Sequence, residues 1–290
     1  MRFALFDDGR LGVVDHDDLV DITDALGDDA PHSGGALHAW IEAHAAGRTP
    51  RPSLDTAPRS SLATARLQAP LPRPGKIVAA PVNYRDHQTE MEYTTSIADL
   101  GVFLKANSSV IGPGQDIRLP YSDKRTDQEG ELGVVIGRTA SHVPVEEALS
   151  YVFGYTCVLD ITVRSGEDRS TRKSFDTFTP LGPWVVTADE VPDPDRLDLR
   201  CDVGGVTRQR VSTADLIFGV GELIAYTSSV MTLYPGDVIA TGTPAGVGPL
   251  SHGDRVVVEI ERIGRLEVGV DASHAAPYAQ RPGNASALAR

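Results

Sequence analysis

Glu129 and Glu131 stand one residue apart at the head of an apolar run, Leu132-Gly-Val-Val-Ile136, and Asp160 closes a second such run, Tyr151 to Leu159. In a strand, side chains alternate between faces, so residues i and i+2 reach into the same space. Two carboxylates held together repel unless a proton or a cation sits between them. A third acid at another strand end completes an all-oxygen, three-ligand set for a hard divalent cation, with positions left for substrate and water. Spacing alone does not single these residues out. Glu259 and Glu261 share it, and Asp15-His16-Asp17-Asp18 is more acidic still, in a chain with 40 Asp and Glu. Glu259 and Glu261 lie beside Arg255 and Arg262 and read as a wet outer strand.

Other segments carry weaker signals. Asn83-Tyr-Arg-Asp-His87-Gln-Thr-Glu90-Met91 reads as the first turn of a helix after a strand. His87 and Glu90 are three apart and share a helix face. A histidine oriented by a carboxylate is a general base for water, although an isolated His-x-x-Glu is more often a surface pair. His142 and His252 sit in polar turns and read as surface residues. Lys105 ends Gly-Val-Phe-Leu, and Lys173 precedes Ser174-Phe-Asp-Thr-Phe. Each either snorkels to the surface or balances a metal site or a carboxylate substrate. Ala240-Thr-Gly242-Thr243-Pro-Ala-Gly246-Val-Gly248 is a glycine-rich turn whose N–H groups and Thr243 hydroxyl could hold a carboxylate or phosphate; otherwise it is only a tight turn. Its glycine spacing matches neither a Walker nor a dinucleotide motif.

These groups need a scaffold. The 290 residues suffice for one large domain, or one with a small appendage. Residues 1–70 read as a small N-terminal α+β domain. There Phe3-Ala-Leu-Phe and Leu11-Gly-Val-Val flank the hairpin signal Asp7-Asp8-Gly9, and Leu37 to Ala46 has helical content. Pro70-Leu-Pro-Arg-Pro-Gly75 punctuates a boundary, and residues 71–290 read as the catalytic domain. Strands are expected at Lys76 to Ala80, Gly101 to Leu104, Glu131 to Ile136, Tyr151 to Leu159, Trp184 to Thr187, Val238 to Thr241 and Val256 to Ile260. Helices are fewer: Val145 to Tyr151, and Thr213 to Leu233 with Thr213 as N-cap and Pro235-Gly236 as terminator. Strands too many to alternate with helices predict an α+β or mostly β catalytic domain, not a doubly wound sheet.

Composition narrows function. Net charge is −13, with no basic stripe for phosphates, which argues against nucleic acid and against an anionic membrane surface. No apolar run approaches the roughly 20 residues of a membrane span, and Met-Arg-Phe-Ala-Leu-Phe-Asp-Asp-Gly turns acidic too early for a secretory signal. Cys157 and Cys201 lie in apolar or strand-like stretches and read as buried reduced thiols of a cytoplasmic protein.

Taken in order, Asn83-Tyr-Arg-Asp-His87-x-x-Glu90, Phe103-Leu-Lys105, Glu129-Gly-Glu131-Leu, Gly154-Tyr-Thr-x-x-x-Asp160, Lys173-Ser-Phe-Asp176-Thr, Gly182-Pro-Trp and Thr241-Gly-Thr-Pro-Ala-Gly-Val-Gly248 resemble the fumarylacetoacetate hydrolase family. The resemblance is collinear over residues 75–270. It implies a mixed β-sheet roll or sandwich as catalytic domain, a small variable N-terminal domain, and a homodimer. It implies Mg2+ or Mn2+ (Ca2+ in some members) held at Glu129, Glu131 and Asp160, a lid carrying His87 and Glu90, and a 2-keto or 1,3-diketo acid substrate. On this basis His87, Glu90 and Lys173 are the catalytic candidates. Thr243 is a substrate-binding candidate, and Lys105 and Gln115 are weaker pocket-lining ones. The cation would polarise the keto group, His87 would activate water, and Lys173 would add positive charge near the enolate.

The family supports several reactions through one enolate. Hydrolysis of an acylpyruvate or fumarylpyruvate is the first expectation, because His87 and Glu90 are both present. Decarboxylation of a β-keto acid such as oxaloacetate comes second, and isomerisation of a 2-hydroxydienoate third. A metal-binding protein without catalysis is the non-enzyme alternative. One departure bears on substrate: Ile161 to Arg172 is polar and lacks the Gln and Trp many members carry there.

Overall fold

The computed structural model describes residues 1–29, 35–49, 52–92 and 94–283. The architecture is mixed α+β, rich in sheet and poor in helix. The strand Gly130–Ile136 lies at its centre and is buried along its whole length. It pairs antiparallel with Val152–Leu159 on one side and Val238–Ala240 on the other. Val238–Ala240 in turn runs parallel to Ile77–Ala79, which pairs with Phe103–Lys105. On the far side, Val152–Leu159 pairs with Thr179–Thr187.

Alternation sorts these strands into two packing layers. Leu132, Val134 and Ile136 join Tyr155, Cys157 and Leu159 in one apolar cluster, with Cys201, Val256, Val258, Leu266 and Val268 of a second, five-stranded sheet. Val135, Val158, Leu181, Val185 and Val238 face the other way. There they pack on Phe3, Leu5, Leu37, Trp40 and Ile41, the last three from the helix Ala36–Ala45. A strand covered on both faces reads as an unbroken apolar run, as this one does.

The N-terminal hairpin forms as expected, Arg2–Phe6 pairing antiparallel with Arg10–Asp15. It is also continuous with the large sheet: Arg2 and Phe3 lie opposite Val186 and Val185. Deleting residues 1–70 would therefore bare one edge of Thr179–Thr187 and the apolar face it shares with Trp40 and Phe3. Such an edge is an aggregation site. We expect the truncated chain to be insoluble or to form large aggregates by light scattering, against a discrete species for the full chain.

The second helix differs from its expected form. Thr213 does not cap it. The Thr213 side chain is buried, donating to the Pro194 carbonyl (2.8 Å) and accepting from Leu197 N–H (2.8 Å). The helix runs Val220–Val230 from Gly219, where Asp195 accepts from Val220 N–H (2.9 Å) and Glu222 from Gly219 N–H (2.9 Å). It stops at Met231, before the Pro-Gly pair. Its buried residues Val220, Leu223, Ile224, Thr227 and Ser228 follow the helical stripe. Among the described residues no helix is long and apolar enough to cross a membrane.

Candidate active site

Register alone gathers the three acids. Gly130 lies opposite Leu159 and Glu131 opposite Val158, so Glu129 meets Asp160, whose N–H donates to the Glu129 carbonyl (2.8 Å). Glu129 and Glu131 share strand parity with Val135, and Asp160 with Val158. All three carboxylates therefore leave the same face of neighbouring strands. They are buried, and one oxygen from each lies within 4.8 Å of the others.

Their charge is only partly answered by protein cations. Lys173 Nζ donates to Glu129 Oε2 (2.5 Å) and Asp160 Oδ2 (2.6 Å). Lys105 Nζ donates to Asp160 Oδ1 and to the Phe178 carbonyl (2.9 Å). Arg164 donates to Glu129 Oε1 (3.0 Å), and Thr162 donates to the same oxygen (3.2 Å). Among the described residues Glu131 receives only the Gly242 N–H (2.8 Å).

Ionisation follows these contacts. For Glu129 burial opposes the charge, but Lys173 and Arg164 outweigh it and hold its pKa down at about 2. Burial, reinforced by Asp160, pushes Glu131 well above the usual carboxylate range. Lys105 is lowered by burial and by Lys173, which Asp160 only partly offsets. Lys173 is raised, since Asp160 and Glu129 overcome the cost of burial. A buried carboxyl that no side-chain cation contacts among the described residues, beside two further carboxyl groups, is what a divalent cation would correct. The lysine contacts do not preclude this, because each carboxylate oxygen carries two lone pairs. The donor set thus fits a hard cation.

A second group hangs over the acids. The helix Arg85–Glu90 follows the strand Ile77–Ala79 through Pro81-Val-Asn83. Val82, a β-branched residue lining the pocket, is held at φ 50°, a strained conformation. Asn83, fully buried, fixes this turn: its amide donates to the Thr241 (2.8 Å) and Phe218 (2.9 Å) carbonyls and accepts from Phe218 N–H (2.9 Å). His87 Nδ1 lies 3.0 Å from Glu90 Oε2. Facing a carboxylate, Nδ1 carries the hydrogen and Nε2 is left free to accept a proton. Glu90 Oε1 also accepts from Gly246 N–H (2.9 Å), which ties the helix to the glycine-rich turn.

That turn works through two glycines at positive φ, Gly242 (97°) and Gly246 (98°), each giving its N–H to an acid of the site. A Cβ at Gly242 would come within 2.7 Å of Asn83 Cβ. Thr243 donates to the Gly130 carbonyl (3.0 Å) and accepts from Gln209 (2.7 Å).

One pocket takes in His87, Glu129, Glu131, Asp160, Lys173 and Thr243, with Met91, Phe103, Arg164, Arg169 and Arg172 among its other walls. Lys105 lies behind Asp160 rather than in the lining. Gln115 is elsewhere: its Oε1 accepts from Gly112 N–H (2.7 Å), and it borders a hollow beside the N-terminal hairpin. It closes a tight turn and has no access to the acids, so the sequence expectation for Gln115 is corrected. Asp127 and Arg164 were missed. Asp127 continues the 127-129-131 alternation, fully buried, and binds Arg125 (2.6 Å) and Arg164 (2.7 Å). Counting back one more step from Glu129 would have found it.

Residues 76–271 match the model of the fumarylacetoacetate (FAA) hydrolase C-terminal family. The chain belongs to this family. A maleylpyruvate hydrolase from Aquipseudomonas alcaligenes is 44% identical over 93% of this chain and 99% of that one. A crystal structure of maleylpyruvate hydrolase from Sphingobium sp. SYK-6, in complex with manganese(II) and pyruvate, superposes with TM-score 0.81 at 38% identity, covering 96% of this chain and 100% of that chain. A 2-hydroxyhepta-2,4-diene-1,7-dioate isomerase from Mycobacterium marinum superposes with TM-score 0.75 at 33% identity, covering 94% and 99%.

Proposed function

We propose that the protein is a divalent-metal-dependent hydrolase that cleaves a C–C bond of a 1,3-diketo acid of the acylpyruvate type, with Mn2+ or Mg2+ held by Glu129, Glu131 and Asp160. The observation that carries this reading is the buried acid triad facing a His87–Glu90 pair across one pocket. The maleylpyruvate hydrolase relatives, one with manganese and pyruvate bound, support it. The cation, when bound, supplies Lewis-acid polarisation of the keto acid's oxygens.

The chain's own groups do the rest. His87 Nε2 takes a proton from water as that water attacks the distal carbonyl, and Glu90 holds the ring and the charge it gains. The bond between the attacked carbon and the methylene then breaks. Its electron pair becomes the enolate of a pyruvate fragment, and the other fragment leaves as a carboxylic acid. Lys173, its charge favoured by Asp160 and Glu129, adds positive potential beside that enolate. Thr243 stands at the pocket wall as a substrate contact, and Lys105 holds Asp160 in place from behind.

Decarboxylation and isomerisation need no attacking water. The tether of Glu90 to both His87 and Gly246, which aims a base into the pocket, favours hydrolysis over them. Residues 71–290 carry the chemistry in this reading, as the family's sheet roll, and residues 1–70 extend the sheet. The reading also takes the chain as a cytoplasmic homodimer.

The test is product analysis. With Mn2+, acylpyruvates should yield pyruvate and the matching acid, and EDTA should stop the reaction. Metal binding with no turnover on any diketo acid would overturn the hydrolase reading.

A further inference from the structure

We propose that Gln209, which stands behind the pocket on the second sheet, is a positioning residue for the metal site: it fixes the backbone between Glu129 and Glu131 and the Thr243 side chain at the pocket wall. This deepens the metal-dependent reading above and rests on it for the ligand set.

Gln209 belongs to Val206–Ser212, which pairs with Asp198–Val203 in the five-stranded sheet. It is the one buried residue of its strand. A buried amide costs free energy unless its polar groups are met, and an apolar side chain would fill the same space without that cost. Here the amide is met, and its partners lie at the head of the central strand and in the glycine-rich turn. Nε2 donates to Thr243 Oγ1 (2.7 Å) and to the Pro244 carbonyl (2.9 Å). Oε1 accepts from Gly130 N–H (2.9 Å). Thr243 Oγ1 in turn donates to the Gly130 carbonyl (3.0 Å). Three hydrogen bonds thus close a ring through Gly130, Gln209 and Thr243.

Gly130 is the residue between the two glutamates, and the ring holds the peptide group on each side of it. A Cβ at Gly130 would come within 3.0 Å of Cys201 Cβ and 3.3 Å of Gln209 Oε1, so the second sheet packs directly against this backbone. Glycine has the freest backbone of any residue and no side chain to anchor it. Held through both peptide groups, it keeps Glu129 and Glu131 at one spacing. With the ring open, those peptide planes are free to turn and to carry the carboxylates with them. The same contacts anchor the turn whose Gly242 and Gly246 N–H groups meet Glu131 and Glu90. Gln128 pins the far end of that turn, donating to the Gly246 carbonyl (2.9 Å) and accepting from Gly248 N–H (3.1 Å), so losing Gln209 loosens the Thr243 end.

The test is a Mn2+ titration of the metal-free protein by calorimetry, with thermal unfolding and kcat measured beside it. Q209M keeps the length of the side chain and removes all three of its hydrogen bonds. It should bind Mn2+ about ten-fold more weakly or worse and lose a similar factor in kcat, the usual result of removing a group that holds a metal ligand in place. T213V is the control for stability alone, because Thr213 is also buried but serves the Leu197 N–H and the Pro194 carbonyl. It should unfold at a lower temperature than wild type and keep Mn2+ affinity within about two-fold. A Q209M affinity within about two-fold of wild type, or a weakening that T213V shares, overturns the proposal. If Q209M does not fold, Q209N decides on the same readings, since a shorter amide cannot reach Gly130 and Thr243 together. The titration needs no substrate. A wild type that binds Mn2+ but hydrolyses no diketo acid ends the hydrolase reading, and a weakened Q209M then still supports this one. A wild type that hydrolyses, with Q209M equal to it in affinity and kcat, keeps the hydrolase reading and ends this one. A wild type that binds no Mn2+ ends both.

Discussion

Glu131→Gln is expected to remove Mn2+-dependent turnover and yet leave the metal-free protein at least as stable as wild type. The first half follows from ligand count: an amide in place of a carboxylate takes one negative charge from a three-acid site. Metal stabilisation of the reacting oxygens is worth several kcal/mol, so kcat/KM should fall by about 10² to 10⁴. The second half follows from the opposite environments of two neighbouring acids. Among the described residues no side-chain cation contacts Glu131, and burial with Asp160 nearby disfavours its charge more than Lys173 supports it. Its replacement therefore relieves repulsion in the metal-free site. Glu129→Gln should do the reverse, since it takes one of two carboxylate partners from each of the buried Lys173 and Arg164, which keep Asp160 and Asp127; the cost should lie below the about 3–5 kcal/mol of a buried charge left with no partner. Thermal unfolding with and without metal reads both effects. Wild type should gain about 2.7 kcal/mol at a metal concentration 100 times Kd, and Glu131→Gln should gain little. A Glu131→Gln protein that is less stable when metal-free, or as metal-stabilised as wild type, would remove Glu131 from the ligand set.

His87→Ala should cost about 10² to 10⁴ in kcat for hydrolysis, the usual contribution of a positioned general base. KM should change little, because the acids and Lys173 are untouched. Decarboxylation of oxaloacetate, which consumes no water at a distal carbonyl, should stay within about ten-fold of wild type where it is present at all. Glu90→Gln should fall between the two, since it spares the imidazole but loses both the charge that orients it and the link to Gly246. Parallel assays of pyruvate release and CO2 release separate these outcomes. Equal loss of both activities in His87→Ala would mean that His87 supports the site's shape and does not activate water.

Much of the site was legible in the chain, for a physical reason. Glu129, Glu131 and Asp160 sit at ends of strands buried on both faces, and such strands announce themselves as apolar runs. The two-residue period then fixes which way the acids point. His87 and Glu90 were equally readable from a three-residue helical spacing, which the helix Arg85–Glu90 fulfils. Gln115 was not, because nothing in its local sequence distinguishes a pocket group from one that folds back on Gly112.

The arginines of 164–172 were visible only as polarity. Their placement depends on Thr162–Val163 pairing with Thr126–Gln128, a two-residue contact too short to leave a pattern. The second sheet escaped for a similar reason. Asp198–Val203 and Val206–Ser212 place charged residues on their outer faces, and the buried positions are the inward Leu199, Cys201 and Val203 and the polar Gln209. Thr213 misled as a helix cap because its hydroxyl serves Pro194 and Leu197, contacts that exist only once distant backbone has arrived.

The most direct test is diffraction from crystals grown with Mn2+ and pyruvate, recorded at the manganese absorption edge. The account predicts one strong anomalous peak in the pocket, bonded to oxygens of Glu129, Glu131 and Asp160, with pyruvate completing its coordination and Lys173 beside it. A pocket without the peak, or a peak bonded to none or only one of those carboxylates, would contradict it.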